Sequence, residues 1–176
     1  EWVRSNIGMV LQEPYLFSRT IAENIGITKK EYTLSDIRKV AEIACLDATV
    51  MDFAQGYDTV VGERGVTLSG GQKQRTAIAR MLTQKTPIMV FDDSLSAVDA
   101  DTDARIRKEL HKNLGDSTVI LIAHRVTTLM QADCIMVMDK GRVAEIGTHQ
   151  ELMDKQGIYR KIYDMQMRLE EEENNG

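Results

Sequence analysis

Three short apolar runs in this sequence each break off at a polar residue, and that pattern constrains the fold most. Residues 6–11 run into Gln12, residues 88–91 into Asp92 and Asp93, and residues 118–123 into His124. Continuous apolar runs of this length suit buried strands. Helical periodicity fills the intervals. Residues 33–51 carry Leu34, Ile37, Val40, Ala41, Ala44 and Ala48 at helical spacing, and residues 100–113 place Ile106 and Leu110 on one face, with acids at the start and Gly115 past the end. Buried strands alternating with helices predict an α/β fold with a largely parallel sheet, whose ligands gather at the carboxyl ends of the strands. Gln12, Asp92, Asp93 and His124 all stand at such ends, the first sign of a site.

Composition excludes several classes. The chain has 176 residues, room for one domain with a sizeable core. A net charge of -5 argues against nucleic acid as the main partner, because phosphate binding wants a basic face. The 3 histidines are too scattered for a metal-ligand cluster. Cys45 and Cys134 sit far apart in apolar stretches and are expected as buried, reduced thiols. No apolar run is long enough to span a bilayer. Glu1-Trp2-Val3 reads like the interior of a longer protein, so a fragment is expected.

A further stretch narrows the chemistry. Leu68-Ser69-Gly70-Gly71-Gln72 opens a helix reaching about Thr83, with Ser69 as its natural N-cap. Two glycines there let the backbone approach a ligand, and the free amides and helix dipole favour an anion such as phosphate. Ser-Gly-Gly alone would be only a capped helix, but here it continues as Lys73-Gln74-Arg75-Thr76-Ala77-Ile78-Ala79-Arg80. Later, residues 134–138 read as a strand, Asp139-Lys140-Gly141 as a tight turn into residues 142–145, and residues 151–169 as a helix that frays from Glu170 onward.

Residues 68–80 resemble the signature motif of ABC ATPases. Residues 88–93 resemble the Walker B strand of that family, Ser96-Ala97-Val98-Asp99 its D-loop, Ile122-Ala123-His124-Arg125 its switch-histidine segment and Val10-Leu11-Gln12-Glu13 its Q-loop. Five motifs stand in the family's order and spacing, and the resemblance covers nearly the whole chain. Phe17 to Ile25, Val61-Gly62-Glu63-Arg64-Gly65 and Gly147 to Leu152 are similar to segments of its exporter branch, the second being the X-loop near the coupling helices of the transmembrane domains. Glu63-Arg64 alone reads as a solvated charge pair, and His149 as a helix-entry residue.

The resemblance implies a P-loop-type, RecA-like core over residues 1–27 and 85–176, with an inserted helical signature subdomain over 28–84. It implies ATP and Mg2+ as ligands. Ser69, Gly70, Gly71 and Gln72 would hold the ATP of an opposite domain, and Asp99 would cross the interface between domains. Asp92 and Gln12 would serve the metal, Asp93 would polarise the attacking water, and His124 and Gln12 would address the γ-phosphate. The expected partners are a second nucleotide-binding domain and the transmembrane domains, at the cytoplasmic face of the cell membrane, with ATP-driven export as the function.

Two departures stand out. No Gly-x-x-x-x-Gly-Lys-Ser/Thr occurs, so the amide cradle and lysine for the β- and γ-phosphates are absent. The central strand that precedes that loop in the family would be missing too, leaving a gap or unpaired sheet edges that invite association. The chain alone is then expected to bind ATP weakly. The second departure is Asp93, where the family usually has glutamate; it implies the degenerate-site subunit of a heterodimer. A non-transport ABC ATPase of the DNA repair or translation type is the alternative, disfavoured by the acidic charge and the X-loop resemblance. Calcium binding at residues 99–103 fails because an EF-hand loop needs glycine and glutamate where Ala104 and Leu110 stand.

Overall fold

A computed structural model describes residues 2–62, 66–115 and 117–174, and divides into two compact units, Glu1–Ile122 and Ala123–Gly176. In the first unit α1 (Trp2–Asn6) leads into β1 (Ile7–Val10), followed by α2 (Ile21–Gly26), α3 (Leu34–Ile43), α4 (Asp47–Met51) and a single 3-10 turn at Gly56–Asp58. Then come α5 (Gly70–Leu82), β2 (Ile88–Asp92), α6 (Ala100–Asn113) and β3 (Thr118–Ile122). The strands form a parallel sheet in the order β1-β2-β3, with Val10 beside Phe91 and Asp92 beside Ile122. The fold is thus α/β with a parallel sheet and flanking helices.

The core follows from which strand faces are covered. Met89 and Phe91 on β2 are buried with Val10, Ile37, Ile78 and Ile106. α5 packs close to β1 because Gly8 leaves room: a Cβ there would stand 2.8 Å from the Met81 side chain. β3 departs from the expected buried strand, since Val119, Ile120 and Ile122 are 45–48% exposed. Among the described residues β3 has a ladder partner on one side only, so it is an edge.

The single helix expected over residues 33–51 is two. α3 stops in a Schellman motif, in which the Leu46 amide donates to the Ala41 carbonyl at 2.8 Å and the Cys45 amide to Glu42 at 3.0 Å. Cys45 takes the left-handed position (φ 52°) that glycine usually fills. The bend is held by Asp47, whose carboxylate accepts two 3.0 Å bonds from Arg38 and a 2.7 Å bond from the buried Tyr57 hydroxyl.

The second unit holds α7 (Val126–Leu129), the antiparallel hairpin β4 (Ile135–Asp139) and β5 (Arg142–Gly147), α8 (His149–Lys155) and α9 (Ile158–Asn174). Lys140 and Gly141 both take positive φ in the hairpin loop, as a two-residue type I′ turn demands. Val126, Ile135, Leu152 and Tyr159 form its core. The expected tail helix is likewise broken, at Gln156 (φ 51°), and α9 runs on to Asn174 rather than fraying at Glu170, glutamate being a good helix former. The His149 ring nitrogen Nδ1 lies 2.8 Å from the Tyr159 hydroxyl, so His149 serves the packing of α8 on α9. Both cysteines are free; Cys45 is half-buried, but Cys134 is exposed, against expectation.

Candidate functional site

α5 begins with its donors half satisfied. A helix start leaves four amides without intrahelical partners. Ser69 and Gln72 form a capping box: the Ser69 amide donates to Gln72 Oε1 at 2.8 Å and the Gln72 amide to Ser69 Oγ at 3.2 Å. The amides of Gly70 and Gly71 are the two that the box does not use. Ser69 and Gly70 are exposed, so this helix end lies at the surface. Behind it Gly71 sits against the chain: a Cβ there would stand 2.8 Å from the Ala97 carbonyl oxygen.

Gln74, three residues beyond Gly71 and buried, ties three segments together. Its Nε2 donates to the Gln12 carbonyl at 3.2 Å and to Ser96 Oγ at 3.3 Å, while its Oε1 accepts the Ala97 amide at 3.0 Å. Ser96 Oγ in turn donates to the Asp93 carbonyl at 2.8 Å. Gln12 reaches the same place by its side chain, with Nε2 donating to Asp93 Oδ2 at 3.2 Å. Gln12, Asp93 and the start of α5 are therefore one bonded group. Sequence reasoning missed Gln74; its signal was a buried-face amide, able to donate and accept at once, one helical turn inside the signature helix.

Asp92 ends β2, half-buried, and Asp93 follows in the left-handed region (φ 45°), its amide donating to the Ile122 carbonyl at 2.9 Å. The next residue, Ser94, is buried, and its hydroxyl has no partner among the described residues. Asp99 caps α6: its carboxylate accepts the Thr102 amide at 2.9 Å, and that bond, helped by the charge of Arg75, holds its carboxyl below the ordinary range. Burial in turn pulls the Arg75 guanidinium down; it donates to the Cys45 carbonyl and keeps a buried Nε without a partner.

The segment after Gln12 hangs on a second hub. Asn24, fully buried, exchanges 2.9 Å bonds with the Phe17 backbone and donates to the Arg19 and Thr20 carbonyls. Arg80 of α5 donates to the Asn24 and Tyr15 carbonyls at 2.8 and 2.9 Å. Both hubs root exposed loops in α5. His124 belongs to the second unit, exposed at the bend before α7. Glu63, Arg64 and Gly65 of the X-loop stretch lie outside the described residues.

A cleft of about 1060 Å³ opens elsewhere, between α3 and α6, and its lining includes none of Gln12, Ser69, Gly71, Asp92, Asp93 or Asp99. Among the described residues no cluster of three or more His, Cys, Asp or Glu could hold a metal. Mg2+ needs no such cluster, since it takes one or two carboxylates and completes its shell with phosphate and water. The leftover glycine amides fit a phosphate, and Asp92 with Asp93 offers the one or two carboxylates that Mg2+ takes.

The sequence profile of the family described as ABC transporter matches residues 1–96. The chain belongs to the ABC transporter family. It is 46% identical over 166 residues to an uncharacterized ABC transporter ATP-binding protein, YknU, of Bacillus subtilis, covering 94% of this chain and 28% of that one. It is 43% identical to the mouse mitochondrial ATP-binding cassette sub-family B member 10, over 94% of this chain and 24% of that one. A solved bacterial Atm1-family ABC exporter with ATP bound superposes with a TM-score of 0.89 at 39% identity, over 94% of this chain and 29% of that one. The ABC transporter relatives are thus over three times as long as the stretch they share. Among the described residues no helix is long and apolar enough to cross a membrane.

Proposed function

We propose that this chain is part of the nucleotide-binding domain of an ABC exporter, and that ATP binding and hydrolysis between it and a second such domain drive transport. The observation that carries the proposal is the Gln74 network, which bonds the signature helix, the Gln12 segment and the Asp93 strand end into one unit. Relatives named as multidrug export ATP-binding/permease proteins, at 42–44% identity, support export over a soluble repair or translation role.

In this reading the free amides of Gly70 and Gly71, with the Ser69 hydroxyl and Gln72 at the same helix end, receive the γ-phosphate of ATP held by an opposite domain. Charge-assisted bonds from backbone amides suit that oxygen-rich group. Asp92 and Gln12 would hold Mg2+, which would supply positive charge against that developing on the phosphate. Asp93 accepts the proton of the attacking water, and Gln12, donating to Asp93, orients that carboxylate. His124 donates to the γ-phosphate, and Asp99 caps α6 where two domains face each other. The helical subdomain over 28–84 carries the signature end, and the loop anchored by Asn24 and Arg80 meets the transmembrane coupling helices at the cytoplasmic face of the membrane. Asp93 in place of glutamate favours a heterodimer, in which this chain's signature end completes the partner's site.

The test is ATP hydrolysis by the full-length transporter in lipid. Gly71→Asp is expected to lower turnover by about 10²-fold or more, and Asp92→Asn to do the same to the residual turnover left once the partner domain's catalytic base is removed, as loss of a charge-stabilising group does. Turnover within twofold of the parent in both would overturn the proposal. The 176-residue chain alone, lacking a lysine-bearing phosphate loop, is expected to give no micromolar MgATP isotherm by calorimetry.

A further inference from the structure

We infer that Gln166, on the last helix, is a positioning residue for His124. The inference rests on reading His124 as the γ-phosphate contact. The two bonds that carry it are short and opposed: Gln166 Nε2 donates to the His124 carbonyl at 2.7 Å, and the Val126 amide donates to Gln166 Oε1 at 2.8 Å. One side chain grips the backbone on both sides of Arg125.

The local chain needs this grip. α7 starts at Val126, and its N-cap, Arg125, makes no side-chain capping bond. An uncapped first amide otherwise costs free energy once it leaves water, and Val126 is buried. Gln166 supplies the missing acceptor from a distant element. Its Nε2 adds a bond that no local cap would make, to the carbonyl of His124 itself. Only an amide side chain of this length donates and accepts in this pattern.

Gln166 is itself held through the part of α9 that precedes it. Tyr159, Ile162 and Tyr163 precede it on the inward face of α9 and pack with Val126 and Ile135. The start of α9 is fixed by Glu145 of β5, whose carboxylate accepts the Ile158 and Tyr159 amides at 2.6 and 3.0 Å. From Ile158 to Gln166 is eight residues, about 12 Å of rigid helix. The β4–β5 hairpin, α9 and the His124 segment form a single strut, and the place of the His124 ring depends on it.

The experiment is a double-mutant cycle on ATP hydrolysis by the full-length transporter in lipid with the partner domain's catalytic base removed, so that this chain's own site is read, using His124→Ala, Gln166→Met and the pair. Methionine keeps the volume and loses both bonds. Gln166→Met is expected to lower kcat by about 10-fold, since a misplaced group costs rate steeply. The KM for MgATP should stay within about twofold and Tm within about 2 °C. In the His124→Ala background it should cost nothing more, because there is no ring left to place. A kcat within twofold of the parent, or losses that multiply in the pair, would overturn the inference. If Gln166→Met lowers Tm further, Gln166→Glu, which keeps the acceptor for Val126 and loses the donor to His124, is read by the same criteria. Full turnover in His124→Ala would instead remove the reading of His124, and the inference with it.

Discussion

Asp93 combines a left-handed backbone with a short carboxylate already bonded to Gln12. Aspartate tolerates that backbone better than most residues, yet its carboxylate stands one methylene back from where glutamate would reach. In a full transporter whose other catalytic base has been removed, Asp93→Glu should raise residual ATP turnover by about 10²-fold, the cost of a displacement near 1 Å. Unchanged turnover in a phosphate-release assay would leave the heterodimer reading without support. Gly71 is constrained from behind: Gly71→Ala puts a methyl 2.8 Å from the Ala97 carbonyl oxygen, which is backbone and must move. Turnover should fall by about 10-fold or more, while circular dichroism shows the helix content unchanged. Ser69, Gly70, Gly71, Asp92 and Asp93 could be proposed from the sequence because their types and spacing are themselves the chemistry. Gln74, Asn24 and Gln166 could not, since their partners are backbone atoms brought near only by the fold.

Helix starts carry much of the local order. Glu23, Asp36 and Glu151 close capping boxes, and Asp99 caps α6 directly. In each, a backbone amide donating to the carboxylate is the main cause of a lowered pKa: that of Thr20, Thr33, Thr148 and Thr102 respectively. A carboxyl depressed in the folded state contributes stability that is present above its unfolded pKa, about 4, and lost as pH falls through the folded value. Asp47, lowered chiefly by its bonds from Arg38, acts in the same sense. Thermal melts should therefore be flat from about pH 5 to 7 and drop steeply below about pH 4; melts independent of pH down to about 3 would contradict the caps. Such caps were readable at Ser69, where the motif draws the eye. The break at Cys45 was not, because Ala44 and Ala48 continue the helical spacing through it and no glycine marks the stop. What ends α3 there is tertiary: Arg38 and Tyr57 hold Asp47, and a side chain accepts the left-handed position to let them. Gly157 is the corresponding hidden requirement in the second unit, since a Cβ there would fall 1.7 Å from Glu145 Oε1. Gly157→Ala should expel that carboxylate, leave two amides of α9 unsatisfied and cost about 1–3 kcal/mol, measured by urea unfolding.

For the whole molecule, the class of fold was legible because apolar runs and helical periodicity alternate along the chain. Which strand is covered was not, because a run of apolar residues says that a strand wants burial and not what buries it. β3 makes the point: Thr118 to Ile122 reads as a core strand, yet three of its side chains are near half exposed and, among the described residues, its ladder has one partner. The β4–β5 hairpin forms a separate sheet in which Met136, Met138, Val143 and Ile146 are likewise exposed. A flat apolar edge without proline, charge or bulge is a template for another strand, and β3 from Val119 to Ile122 contains none of these guards. The 176-residue chain by itself should therefore self-associate, with a weight-average mass rising with concentration in light scattering. Ile120→Lys places a charge in the middle of that edge, away from the buried face of β2, and should shift the mass toward that of one chain without lowering the melting temperature. A concentration-independent mass of one chain in the parent would show that the edge is covered in solution by some other means.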